Sequence, residues 1–284
     1  MKRVAFSAVS LFFVSFFATS IYATTYNDAV LADNPVYYWT FDEASGNAIE
    51  QVGGNVVDEL KPFGTATRGT SNAGLGNAAH VVPGTAFSAF YTADLSLSSR
   101  PCNSWITEFW YKADNADGYS GQYLVDGQLS PYTNSPAIIF DFNGGGGDSE
   151  VEIYEKINDL GRTSGLYITD STQWNHVVIG MTQDSGNHVV AYINGVLDAD
   201  FNAGSAAVFF DYYEQLAVGG HIGYSTWAMN GMLDELAIYA PGDGLGVGGF
   251  EAEVAEIAAH YNAVPEPATI ALLGLGILAL RRKK

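Results

Sequence analysis

Cysteine and basic residues are what this chain has least of. Cys102 stands alone among 284 residues, so no disulfide can close within the chain and the fold must hold by packing and hydrogen bonding. A lone thiol with no Cys-His signature around it reads as a small buried hydrophobe. Lys and Arg number 12 against 31 Asp and Glu, and half of those bases sit at the extremes: Lys2, Arg3, Arg281, Arg282, Lys283 and Lys284. Residues 24 to 263 therefore hold 30 acids and six bases, a net charge of −24. Such a body repels nucleic acid and anionic lipid and offers carboxylates to divalent cations. His-x-x-x-His and Gly-x-Ser-x-Gly spacings are missing too, and neither His176 nor His221 has a metal-ligand neighbour in sequence. That argues against zinc catalysis and an activated serine. The glycine-rich PGDGLGVGG lacks the Gly-Lys-Ser/Thr ending of a phosphate loop and reads as a linker.

What is present points to strands. Hydrophobic residues make up 48%, aromatics 13%, and there are 32 glycines and 17 tyrosines, a balance that favours pleated segments and turns over surface helices. Short apolar or aromatic runs recur between turn clusters at 35–41, 104–113, 121–127, 136–142, 164–170, 174–182 and 188–195. No strand-helix-strand alternation intervenes, so the expected architecture is an all-β antiparallel sandwich. One helix is expected near Glu251 to Tyr261, where Val254, Ile257, Ala258 and Tyr261 recur at helical spacing, with acids in its first turn.

The two ends carry addresses. Lys2 and Arg3, an apolar run from Val4 to Phe17 and small residues near Ala18 to Ala23 form a secretory signal peptide over residues 1–23; a retained N-terminal membrane helix is the alternative. At the other end, the uncharged ATIALLGLGILAL is followed at once by four basic residues, which would halt translocation and keep that end cytoplasmic. With Pro265-Glu266-Pro267 before it, this ending over 264–284 resembles the PEP-CTERM sorting signal of Gram-negative bacteria. The resemblance implies a hydrophobic helix that anchors the chain transiently in the inner membrane and an exosortase that processes it. It also implies an exported protein of the envelope or the exopolysaccharide matrix of biofilms. A plain membrane anchor is the alternative.

Within residues 26–262, DAVLADNPVYYWTFDEASGN, the hairpin WNHVVIGMTQDSGNHVVAYINGVLD, NGMLDELAIYA and EVAEIAAHYNA, in that order, resemble a laminin-G-like domain of the concanavalin A-like class. This implies a two-sheet jelly roll with a trailing C-terminal helix. The stretch from Gly53 to about Pro136 carries little of the resemblance.

Four sets of side chains are candidates for chemistry. By strict alternation, Asp234 shares a strand phase with Met232, Leu236 and Ile238, and Glu235 shares the other with Leu233, Ala237 and Tyr239. Both faces are then apolar, so the two carboxylates need partners. The resemblance implies that Ca2+ joins the first and last strands, which nominates Asp42 and Asp234, completed by Glu43 or backbone carbonyls; capped turns are the alternative. DFNGGGGDSEVE imitates an EF-hand loop at Asp141, Asn143, Gly146 and Glu152 but reads more simply as a hairpin. EVEIYE resembles the catalytic strand of laminarinase-type glycoside hydrolases, which would make Glu150 and Glu155 the acid pair if a bulge brings both to one face. Here Glu152 replaces the usual middle Asp. Finally, Tyr212, Tyr213, Tyr224 and Trp227 are candidates for stacking on sugar rings.

Three functions follow. The first is an exported, non-catalytic module that binds carbohydrate or matrix glycan and is stabilised by calcium. The second is a hydrolase of extracellular polysaccharide, and the third a purely structural or adhesive surface protein.

Overall fold

In the computed structural model the described residues are 25–72, 75–93, 95, 104–115, 122–128, 136–141, 149–155, 166–168, 170–182, 188–202, 215–222, 227–241 and 246–264. Cys102, the expected signal peptide over 1–23, the apolar tail and the glycine run at 142–148 lie outside them.

Two antiparallel sheets form the fold. The larger contains β1 (Tyr37–Trp39), β3 (Thr67–Thr70), β4 (Asn77–Val81), β6 (Ser104–Ala113), β11 (Asn175–Thr182), β12 (His188–Ile193), β13 (Val196–Asn202) and β15 (Gly231–Tyr239). Its order is β13-β12-β11-β6-β15-β4-β3, with β1 beside the second half of β15. The smaller contains β2 (Lys61–Phe63), β5 (Ala89–Thr92), β7 (Gln122–Gln128), β8 (Pro136–Asp141), β9 (Ser149–Glu155), β10 (Leu166–Ile168) and β14 (Gln215–Val218), in the order β10-β9-β8-β7-β14-β5-β2. The all-β jelly roll read from the sequence is the fold observed, and every apolar run singled out there contains a strand.

The centre of the larger sheet is buried on both faces. Along β6, Trp105, Phe109, Tyr111 and Ala113 face the smaller sheet and join the inter-sheet core, while Ile106 and Trp110 face the other way. That outer face is roofed by α1 (Tyr26–Ala32) and α2 (Gly246–Ala258): Tyr26, Val30, Phe250, Val254 and Ile257 pack there on Ile106, Trp110, Val178 and Val190. Continuous burial explains why β6 and β11 read as unbroken apolar runs.

Three features depart from expectation. Residues 26–32, where no helix was expected, form a helix whose N-terminus is closed by Thr25 and Asp28, each side chain accepting from the other's backbone N–H. The second helix begins at Gly246, inside the stretch read as a linker, so Glu251 and Glu253 lie beyond its first turn. It continues to Ala263 as a 3-10 turn. The third departure is in β15, whose register against β6 slips between Asp234 and Ala237, with Glu235 at φ 52°. This bulge inserts a residue and reverses the phase, so Leu233, Leu236 and Ile238 all face the inter-sheet core and Ala237 and Tyr239 the roof. Strict alternation failed because a two-residue period cannot foresee where a ladder breaks.

Gly180 on β11 sits under α2, and a Cβ there would lie 2.6 Å from Val254 Cγ2 and 2.8 Å from Phe250 Cζ. Gly180→Ala should therefore destabilise the protein by about 1–3 kcal/mol through displacement of α2, read as a lower urea midpoint with an unchanged m-value.

Candidate functional site

Three groups of polar or aromatic side chains stand out, in the bulge, on the roofed face of the larger sheet and beside β7.

The bulge buries two adjacent acids completely. Asp234 Oδ2 accepts from the Ser71 hydroxyl and Glu235 Oε2 from the Tyr38 hydroxyl. The second oxygens, Asp234 Oδ1 and Glu235 Oε1, have no hydrogen-bond partner. Burial, and next the charge of Glu235, push the Asp234 carboxyl well above its usual range. Glu235 is raised as well, by burial and by the charges of Asp42 and Glu108, against the bond from Tyr38.

Asp42 stands close enough to raise both. Its Oδ1 accepts from the Asn77 backbone N–H at 3.0 Å, and its carbonyl accepts from the Asn77 side chain at 3.0 Å. Gly76, at φ 90°, leaves Asp42 its room, because a Cβ there would meet Oδ1 at 1.8 Å. Glu43 turns elsewhere: it accepts from Arg68 Nη2 at 3.1 Å and from the Ile49 N–H at 2.8 Å. Arg68 is itself buried beneath that bond, its guanidinium carbon 4.4 Å from the Phe90 ring centre. Asp42, Glu43 and Asp234 do not bring three ligand atoms within 4.8 Å of one another. The carboxylate adjacent to Asp234 is Glu235, which sequence reasoning saw as a residue in need of a partner and left out of the cation set.

The second group, centred on Glu108 of β6, was not foreseen. Glu108 Oε1 accepts from the Tyr26 hydroxyl at 2.7 Å and lies 2.7 Å from His176 Nε2 and 3.0 Å from His260 Nδ1; Oε2 accepts from the Tyr239 hydroxyl at 2.7 Å. His260 Nε2 in turn is 3.0 Å from Asp33 Oδ2. His176 is buried, as expected of a histidine in an apolar strand, but as part of this polar cluster. Burial alone would raise Glu108; the hydrogen bonds from His176 and His260 outweigh it and hold the carboxyl at about 2. Burial alone would lower His260, and Glu108 with Asp33 outweighs that and raises it. Only the alternation of an apolar strand, which sets Glu108 between Ile106 and Trp110, hinted that this acid was enclosed.

The third group is aromatic. Tyr123 of β7 stacks on His221 with ring centres 4.3 Å apart at 7°, and Trp227 lies 5.3 Å from His221 and 6.1 Å from Tyr123. His221 Nδ1 is 2.8 Å from Asp126 Oδ2, a buried oxygen that also accepts from the Ile222 N–H at 2.8 Å. The backbone is pinned as well: Tyr123 N–H donates to the Trp227 carbonyl and Asn230 N–H to the Gln122 side chain. Tyr123 and His221 are each 6% exposed and Trp227 38%, so the stack ends in an indole open to solvent. Tyr212, Tyr213 and Tyr224 lie outside the described residues.

Glu150 and Glu155 both lie on β9, paired with Asp141 and Pro136 across an unbroken register with β8. Five residues apart, they fall in opposite phases of the strand, and the bulge needed to align them does not occur in that pairing.

A family model described as the concanavalin A-like lectin/glucanases superfamily matches residues 87–241, and the PEP-CTERM protein-sorting motif matches residues 263–284. No curated protein sequence matches the chain. Among solved structures it is similar to domain 4 of an extracellular arabinanase from Geobacillus stearothermophilus in complex with arabinotriose, at 20% identity over 79% of this chain and 98% of that one, TM-score 0.48. It is also similar to a Trypanosoma rangeli sialidase, at 10% identity over 82% of this chain and 34% of that one, TM-score 0.54. The binding domain of botulinum neurotoxin DC, solved with rat synaptotagmin II, gives 11% identity over 82% and 52%, TM-score 0.55. The chain spans about a third of the sialidase and half of the toxin domain; both likenesses are of fold.

The Glu108 cluster dictates a pH signature. Its carboxyl is lower in the fold (about 2) than its usual 4.5, so its contribution is full above about pH 4.5 and is lost as pH falls toward 2. His260, being raised, has the opposite sign: its contribution is full below about pH 6.5 and is lost as pH rises through its folded value. The raised Asp234 remains in a Glu108→Gln variant and cancels in a comparison, whereas Glu235, raised in part by Glu108, is relieved in the variant. The stability difference between wild type and Glu108→Gln should be largest between about pH 4.5 and 6.5, on the order of 3 kcal/mol. It should shrink toward pH 2, as measured by urea unfolding across that range.

Proposed function

Because the chain belongs to the concanavalin A-like lectin/glucanase superfamily and ends in a PEP-CTERM motif, which implies export, envelope association and exosortase processing, we propose that it is a non-catalytic module that binds extracellular polysaccharide. The observation that carries this reading is the half-exposed indole of Trp227, backed by His221 and Tyr123. A sugar ring presents a flat C–H face that stacks on such an indole, and a rigid backing lowers the entropy lost on binding. The −24 body charge favours neutral or cationic glycans over acidic ones. The β8–β9 register runs without the bulge that an acid pair at Glu150 and Glu155 would need, which supports binding over hydrolysis.

The tail over 264–284 anchors the chain in the inner membrane until it is processed, and the module then passes to the envelope or matrix of a Gram-negative cell. Among the described residues no helix is long and apolar enough to cross a membrane; the tail lies outside them.

Calcium stabilises the bulge in this reading. The unpartnered Asp234 Oδ1 and Glu235 Oε1 are hard oxygen donors with charge to neutralise, and Asp42 stands beside them. The candidate ligands are Asp42, Asp234 and Glu235, which do not bring three ligand atoms within 4.8 Å of one another either, so the ion would have to draw them together, while Glu43 stays with Arg68. The ion would supply neutralising charge and structural rigidity, with no part in a reaction.

Two measurements test these statements. On a panel of β-glucans and bacterial exopolysaccharides, one neutral glycan should be retained by wild type, and Trp227→Ala should weaken that retention tenfold or more with an unchanged melting temperature. Equal retention by both proteins would remove the indole from the site. After chelation, added Ca2+ should raise Tm by several degrees in wild type and not in Asp234→Asn; a flat wild-type response would eliminate the calcium proposal.

A further inference from the structure

His188, Asp200 and Glu251 come from three separate elements and meet on the roofed face of the larger sheet. His188 opens β12, Asp200 lies diagonally across the β12–β13 pairing, and Glu251 is carried over them by α2. His188 Nε2 stands 3.2 Å from Asp200 Oδ1 and 3.1 Å from Glu251 Oε1, and the ligand atoms of all three lie within 4.8 Å of one another. Among the described residues this is the group with that property. It is separate from the bulge acids and from the Trp227 stack.

His188 Nε2 stands within ion-pair distance of both carboxylates yet makes a hydrogen bond to neither. His188 Nδ1 is 3.2 Å from Asn202 Oδ1, a carbonyl-type oxygen that can only accept, so the ring proton sits on Nδ1. In the neutral ring that leaves a lone pair on Nε2, directed at two carboxylates. The His188 side chain is 8% exposed, and Nε2 is buried without a hydrogen bond despite both nearby oxygens. A lone pair and two anionic oxygens repel one another unless a proton or a metal ion lies between them, and a proton on Nε2 would have to bond to one of those oxygens, which the geometry does not show. Two donors each about 2.1 Å from a shared ion in tetrahedral geometry stand about 3.4 Å apart, a few tenths of an ångström more than the 3.2 and 3.1 Å observed here. The Asn202 contact is also the outer-shell bond that fixes the tautomer and orientation of a metal-bound imidazole.

We propose that His188, Asp200 and Glu251 bind one late first-row divalent ion of the zinc class, which fastens α2 to the β12–β13 edge of the larger sheet. Imidazole favours such an ion over Ca2+ and Mg2+, which take oxygen ligands. Asp200 and Glu251 side chains are 46% and 39% exposed, so the site opens to solvent on one side and leaves room for water as a fourth ligand. The ion bridges residues 188, 200 and 251, and its role is structural. Sequence spacing could not announce it, because no two of its ligands stand at a recognisable metal interval.

The test uses the exported chain, stripped with chelator and titrated with Zn2+ by calorimetry, with Co2+ as a spectroscopic probe. Wild type should take up one equivalent of Zn2+ at this site and gain about 5–10 °C in Tm at about a hundredfold excess over Kd. Co2+ should give visible d–d absorption. The double variant Asp200→Asn, Glu251→Gln alters two partly exposed side chains and should fold; it should lose at least tenfold in Zn2+ affinity, most of the Tm gain and the Co2+ bands. Asp234→Asn should keep all three, which separates this site from the bulge. Absence of a Zn2+ response in wild type, or an equal response in the folded double variant, would overturn the proposal.

Discussion

The central constraint on this structure is the buried carboxylate of Glu108. It stands in the middle of the central strand of the larger sheet, on the face turned away from the smaller sheet, where an ion without partners would be costly. Its partners come from far along the chain: Tyr26 from α1, His176 from β11, Tyr239 from β15 and His260 from the last helical turn. The two ends of the domain are thereby drawn to one point. The apolar roof of Val30, Phe250, Val254 and Ile257 seals that point from water and strengthens the bonds within it. Apolar packing supplies most of the roof's adhesion, and Glu108 fixes where the roof sits.

The bulge in β15 is a second consequence of burying a sheet on both sides. A regular strand would have sent Asp234 or Glu235 into the inter-sheet core; the inserted residue instead returns Leu236 and Ile238 to that core. The acids are left at a local widening with Ser71, Tyr38, Asp42 and Arg68 around them. Bulges of this kind re-aim side chains while the ladder continues on either side. Two unpartnered oxygens in such a place are expensive for a structural element alone, and that cost is the physical argument for a cation there.

The exposed aromatic stack and the roof lie on different sheets, a division that would suit the proposed binding module. The Tyr123–His221–Trp227 stack is built on the smaller sheet, where the Asp126 bonds and the backbone pins hold the indole still. The larger sheet bears the helices, with α2 leading toward the C-terminal motif. Processing at one end of the chain therefore need not disturb the binding face.

The sequence alone determined the class of fold, the positions of the long strands and the C-terminal sorting motif, because each depends on local pattern: alternation, turn residues, or an apolar run beside charge. Trp227 was legible as a candidate for the same reason, an aromatic in a polar, glycine-containing loop. Strands β2 to β5 were not legible, being three to five residues long and weakly apolar. No helix was expected over 26–32, although Thr25 and Asp28 marked its cap. Only the tertiary structure decided which acids matter. Glu108, Asp200 and Glu251 are ordinary carboxylates in sequence, and the partners that set the environments of the buried acids lie up to 197 positions away, as in Glu235 and Tyr38. Burial and partnership are long-range properties, and a one-dimensional pattern carries no record of them until the sheets have closed.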